Sequence, residues 1–287
     1  METWKKHWGT NQWAAFFETK KLPVMGRSKL LVAALEEQQG EQLAPHDLAQ
    51  VVLGDPLLCL QLLREAERIR TNRLGNETTT TLQAVMQLGV DNVKKLLFAS
   101  TEIDDGNAGL LYVEARSALA ARVALRWASG RADLNPVEVS LAALLSDTGE
   151  LLLWLYCPEL AQAALDELRS GRAKRSAQAQ TQACGFSFKE LTIRCAEIWN
   201  LPTLLRKLLH GAESERALLT RSCTDFARHL LGRDATADEA MANDLVAARK
   251  LVPGVSFAWL LEEVAELDAE HKQGLCDRAE AMHNYDI

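Results

Sequence analysis

The sequence predicts an all-α protein. Apolar residues recur at the three-to-four-residue spacing of a helix face almost throughout the chain. Asp-Pro and Asn-Pro pairs, which start helices, stand just ahead of apolar runs at Asp55-Pro56 and Asn135-Pro136. No segment alternates apolar and polar residues convincingly, as a half-buried strand does.

Each element follows from such signals. Near the N-terminus, Trp4, Trp8, Trp13, Phe16 and Phe17 are interleaved with Lys5, Lys6, Lys20 and Lys21. The mixture suits an amphipathic helix on a membrane surface or a partner. It equally suits a helix whose aromatics staple the first helices of the body. Trp4 and Trp8 share a face while Trp13 points elsewhere, which favours packing.

Leu30, Leu31, Ala34 and Leu35 make one apolar stripe, and Leu48, Val51 and Val52 another. Asp55 accepts from free backbone donors and Pro56 loses none, so a helix opens there and carries Leu57, Leu58, Leu60, Leu62, Leu63 and Ala66. Thr80 or Thr81 caps a short helix with Leu82, Val85 and Met86 inward, and Gly89 ends it. Asp91 begins another through Val93, Leu96 and Leu97. Residues 110–129 are alanine-rich and strongly helix-forming, and Asn135-Pro136 leads into 137–145.

Pro158 opens a helix that stops near Gly171. A polar stretch, 171–181, reads as a linker, with Arg172, Lys174 and Arg175 as solvated loop cations. Ser187 to Glu190 fits a capping box, and Trp199, Leu201 and Pro202 turn the chain into 204–210. Beyond His210, residues 213–231 form a helix ended near Gly232. Thr236 to Glu239 is a second capping box, and Val252-Pro253-Gly254 breaks the chain. Ser256 caps a last major helix through Phe257, Leu260, Leu261 and Val264. No internal repeat at a solenoid period is visible.

Composition bounds the function. Of 287 residues 48% are hydrophobic and 25% charged, which is globular rather than disordered. The net charge of −7 argues against nonspecific nucleic-acid binding, which needs a basic face. No stretch approaches the ~20 apolar residues of a membrane-spanning helix, and the longest apolar run, 151–157, reads as core. The N-terminus shows no secretory signal. Six scattered cysteines without a CxxC pair read as reduced thiols of a cytoplasmic protein rather than a disulfide or zinc framework. There is no GxGxxG, Walker or GxSxG segment, and no activated nucleophile stands out. His7, His46, His210, His229, His271 and His283 are dispersed, with no spacing that pairs two on a helical face. His210 reads as a surface or half-buried residue.

The segment Leu145-Ser146-Asp147-Thr148-Gly149-Glu150 lies between two helices. An Asp there can be a metal ligand or general base, but the commoner role is a helix N-cap, with Gly allowing a tight turn.

Five segments taken in order resemble the HDOD family, the non-catalytic relatives of HD-domain phosphohydrolases. They are Leu22-Pro23-Val24; Gly54-Asp55-Pro56 with Leu62-Leu63-Arg64-Glu65-Ala66; residues 80–89 (TTLQAVMQLG); residues 144–149, standing where the family has Leu-Leu-His-Asp-Ile-Gly; and Gly185 through Trp199 with Leu201-Pro202. The resemblance covers about residues 15–212. It implies an HD-domain-like helical bundle with additional C-terminal helices. The chain then divides into an N-terminal aromatic segment (1–14), an HDOD-like domain (15–212) and a C-terminal helical extension (213–287).

The departures from an HD phosphohydrolase carry the functional expectation. The resemblance puts Ser146 in the place of the central metal-binding His, Arg116 about where the first His would lie, and Phe188 where a later His would stand. Arg is permanently cationic and Phe has no donor atom, so Asp147 alone keeps a metal-binding type. Asp147 is then expected to cap a helix or to pair with Arg116. No catalytic residue, metal or cofactor is expected. The former cleft, mapped to Arg116, Ser146, Asp147 and Glu150, becomes a contact surface for a ligand or partner.

Family resemblance implies bacterial signal transduction through protein–protein interaction with other signalling proteins. One alternative is a sensor of a nucleotide or cyclic dinucleotide, with Arg116 on a phosphate. The other is residual metal-dependent phosphohydrolase activity.

Overall fold

The fold is described from a computed structural model over residues 7–40, 43–71, 77–211, 214–232 and 236–285. Among the described residues there are helices and no strand, with one isolated bridge between Val24 and Glu102. Contacts gather the chain into two compact units, neither continuous in sequence. One takes residues up to 115 with 145–206; the other takes 116–144 with 207 onward. This differs from the consecutive division at 212, because residues 116–144 share their core with the C-terminal helices.

The first unit contains α1 (Thr10–Glu18), α2 (Gly26–Gln39), α3 (Pro45–Leu53), α4 (Pro56–Thr71), α5 (Thr81–Leu88), α6 (Val90–Ala99) and the start of α7 (Ala108–Ser129). After α8 (Pro136–Leu145), which lies almost wholly in the second unit, the chain returns as α9 (Thr148–Tyr156), α10 (Pro158–Arg169), α11 (Ser176–Cys184), α12 (Phe188–Ile198) and the start of α13 (Thr203–His210). The second unit is completed by α14 (Glu215–Gly232), α15 (Ala237–Leu251), α16 (Phe257–Leu261) and α17 (Ala269–Tyr285).

Local signals placed most helix starts. Asp55 Oδ1 accepts from the Leu57 and Leu58 nitrogens at 3.1 and 3.0 Å, and α4 then buries Leu57, Leu58, Leu60, Leu62, Leu63 and Ala66. Thr80 caps α5 in a capping box with Gln83, and Gly89 ends it at φ 85°, where a side chain would be strained. Ser187 and Glu190 form the expected capping box on α12. Asn135 Oδ1 accepts from the Val137 nitrogen at the start of α8.

The aromatic residues of α1 pack inward against α12. Trp13 and Phe17 are buried, and Phe17 lies 5.9 Å from the Tyr156 ring, whose hydroxyl donates to the Lys21 carbonyl at 2.6 Å. Trp4, Lys5 and Lys6 lie outside the described residues.

Several expectations are corrected. The α2 stripe faces outward, Leu30 being 72% and Leu31 51% exposed. Ser28 Oγ donates to Asp55 and Lys29 Nζ to the Ser100 carbonyl, a docking that turns Ser28 and Val32 inward one helical turn apart. On α5, Leu82 and Met86 likewise point outward while Thr81, Ala84 and Val85 are buried.

The polar stretch is partly helical. Residues 176–184 form α11, built on strong helix formers although only Ala179 and Cys184 are buried. Arg172 beside it is paired with Glu167 at 2.8 Å. Ser256 caps only the five-residue α16; the last long helix is α17, opened by Asp268 accepting from the His271 nitrogen.

Residues 136–156 have mean hydropathy 1.2 and are long and apolar enough by composition to cross a membrane, contrary to the sequence expectation. They form two helices interrupted at Ser146-Asp147, and 72% of the apolar window is buried within protein.

In the second unit, Leu119, Val123, Trp127 and Val139 join Phe226, Met241, Leu245, Phe257 and Leu260 in one core. The buried Trp127 indole donates to the Leu260 carbonyl at 2.9 Å, and the Arg126 guanidinium stacks 3.9 Å from the Trp259 ring centroid. Thr236 occupies the N-cap of α15, but its side chain makes no cap hydrogen bond.

Candidate functional site

The junction between α8 and α9 begins with two residues that do not continue the helix, Ser146 and Asp147. Thr148 Oγ1 donates back to the Leu145 carbonyl at 2.7 Å, and the Leu151 nitrogen donates to the Asp147 carbonyl at 3.0 Å. Asp147 thus stands at the N-cap of α9, with φ −99° and ψ 17°, yet its carboxylate makes no cap hydrogen bond. The free donor at Gly149 is served instead from α12, where Thr192 Oγ1 accepts at 2.8 Å. That hydroxyl also lies 3.1 Å from the Phe188 carbonyl and 3.3 Å from the Ser146 carbonyl.

Gly149 makes this approach sterically feasible. A Cβ there would lie 2.5 Å from the Phe188 carbonyl oxygen, 2.9 Å from the Thr192 nitrogen and 3.1 Å from Leu191 Cβ. A second close approach is at Gly109, where a Cβ would meet the Trp154 ring at 2.4 Å. Asn107, which caps α7 by accepting from the Leu110 nitrogen, also donates to the Trp154 carbonyl at 2.8 Å.

Ser146, Asp147 and Glu150 are half-buried neighbours on this junction. Arg116 is 6% exposed and belongs to the second unit, while the other three belong to the first. Phe188 is buried at the start of α12, its nitrogen donating to Gln180 Oε1 at 2.9 Å.

The residues at the positions mapped to a metal centre do not fit one. A serine, an arginine and a core phenylalanine accompany a single aspartate, and no group of three His, Cys, Asp or Glu close enough to hold an ion occurs among the described residues. His210 is exposed. Burial pushes the Cys184 and Cys195 thiols up to about 12, away from the reactive thiolate.

Sequence reasoning missed a buried charged network in the first unit. Asp55, fully buried, accepts from the Met25 nitrogen and Ser28 Oγ, each at 2.8 Å, in addition to its two cap bonds. Arg27 forks onto both oxygens of Glu114, a residue only 2% exposed, and donates to the Gly54 carbonyl at 2.9 Å. Burial raises the Glu114 carboxyl above its ordinary value, against the pull of Arg27. The Asp-Pro signal marked Asp55; nothing local marks Arg27, Glu114 or Thr192.

The first unit also exposes large apolar side chains on α2, α5 and α6: Leu30, Leu31, Met86 and Phe98. Helices α2 and α6 lie side by side, tied by Lys29 to the Ser100 carbonyl and by Lys94 to Glu36.

The chain is thus an all-helical protein in which a Ser-Asp turn joins α8 to α9 and Gly149 of α9 packs closely against α12. Solved structures share the fold. A virulence factor from Campylobacter jejuni subsp. jejuni matches at 15% identity over 95% of this chain and 99% of its own, with a TM-score of 0.68. The MmoQ response regulator from Methylococcus capsulatus str. Bath matches at 19% identity over 78% and 93%, with a TM-score of 0.60. No curated protein matches the chain. The HDOD domain itself matches residues 27–214, more than half of the sequence, and the chain belongs to the HDOD family.

Proposed function

We propose that this HDOD protein is a non-catalytic, cytoplasmic regulator that acts by binding other signalling proteins, without metal or cofactor. The observation that carries the reading is Phe188. The position that the family resemblance assigns to a metal-binding histidine holds a core side chain whose backbone packs against Gly149. Exposed leucines, a methionine and a phenylalanine on α2, α5 and α6 offer apolar surface of the kind that interaction sites use.

Two measurements test it. Purified protein is expected to carry no stoichiometric divalent metal and to leave phosphodiesters intact in manganese or magnesium. Bound metal with turnover overturns the reading. Partner capture from the native host is expected to retain a protein that Leu30→Glu with Phe98→Glu loses at unchanged melting temperature. Capture that ignores this face removes it as the docking surface.

A further inference from the structure

Helices α14 and α15 of the second unit pack along each other, and one polar contact between their side chains stands out for its closeness. His229 Nδ1 lies 2.6 Å from Asp244 Oδ2, with the histidine side chain 31% and the carboxylate 15% exposed. His229 sits in the last turn of α14, where the helix dipole and the terminal carbonyls favour a positive charge. A protonated imidazole there satisfies a poorly hydrated carboxylate and the helix end together. A neutral one keeps at most the hydrogen bond.

We propose that the α14–α15 pair is a proton-operated latch, tightened when His229 is protonated against Asp244 and loosened when it loses that proton. The other groups acting on the pair are Arg228 and Asp225 on α14, bonded to each other at 2.6 Å, and the buried Cys223 thiol, which senses Asp244. Asp225 favours the imidazolium and Arg228 opposes it; the Asp244 hydrogen bond is the largest influence and raises the His229 value.

The sign follows from linkage. A histidine whose folded value lies above its unfolded value stabilises the fold fully below the unfolded value, and that stabilisation is lost as pH rises through the folded value. His271, paired with Asp238 at 2.8 Å, also touches α15. The test must therefore isolate His229.

Imidazole titration by NMR on the full chain provides the first readout. His229 is expected to titrate above the ordinary imidazole value, and to move downward in Asp244→Asn. The second readout is hydrogen exchange, corrected for its intrinsic pH dependence, in α14 and α15 between about pH 6 and pH 8. In α14 protection is expected to fall with rising pH in the wild type and to stay level in His229→Asn, whose amide keeps a neutral donor; in α15, where the His271–Asp238 pair remains in both proteins, the wild type is expected to fall more than the variant. Titration at or below the ordinary value, or level protection in the wild type, overturns the latch. If Asp244→Asn does not fold, the wild-type titration and the His229→Asn comparison still decide.

Discussion

An alanine at position 149 would place its methyl carbon 2.5 Å from the Phe188 carbonyl oxygen and 2.9 Å from the Thr192 nitrogen. Both are backbone atoms that cannot rotate away, so Gly149→Ala must move α9 off α12. The expected cost is about 1–3 kcal/mol, the usual range for overpacking a tight site, read as a lower urea midpoint. Thr192→Val keeps the shape but strands the Gly149 N–H, and is expected to cost about 1–2 kcal/mol. Unchanged midpoints in both would mean the junction relaxes freely. Asp55→Ala removes the acceptor for three backbone nitrogens and Ser28, for an expected loss on the order of 3 kcal/mol by the same urea measurement. At this scale the sequence made Asp55 and Gly149 readable, because a cap and a tight turn announce themselves within a few residues. Thr192, Arg27 and Glu114 were not readable, since their partners lie 27 to 87 residues away.

Helix starts were legible where the chemistry is local, as at Pro56, Thr81, Pro136, Pro158 and Phe188. The α11 helix escaped because it has no apolar stripe, and α17 because its polar sequence buries little beyond Leu275 and Ala279. Which face turns inward was less legible than which residues are helical. The α2 stripe pointed outward because tertiary bonds to Asp55 and Ser100, not hydrophobicity, set its rotation.

The Arg27–Glu114 fork joins α2 to α7 and makes an element-scale prediction. Arg27→Ala leaves a carboxylate of 2% exposure without its cation, at an expected cost of about 2 kcal/mol near neutral pH. A carboxyl whose folded value is raised opposes folding while ionised, and that opposition fades as pH falls through the folded value. Removing Arg27 raises it further. The penalty measured by urea unfolding should therefore shrink between about pH 7 and pH 5. A penalty that grows on acidification would contradict this account.

The whole molecule is organised against its own sequence order. Family resemblance and the HDOD match end near residue 214, which invites cutting the chain there. Yet Leu119, Ala120, Val123, Trp127 and Val139, all inside the matched region, form one core with Phe226, Met241, Leu245, Phe257 and Leu260 from beyond it. A chain ending at residue 212 keeps the first group and loses the partners that bury it. It also removes the Leu260 carbonyl to which the buried Trp127 indole donates, and the Trp259 ring under Arg126. Truncating a large apolar partner in a core typically costs about 3–5 kcal/mol, and here several are lost at once. That is comparable with the entire stability of a domain, which is about 5–15 kcal/mol. The 212-residue chain is accordingly expected to aggregate or to bind a hydrophobic dye, and to lose the cooperative melt of the full protein. Residues 116–144 should then be its first sites of proteolysis. A soluble, cooperatively melting fragment with those residues protected would show that the first unit alone organises them, and the two-unit division would have to be redrawn.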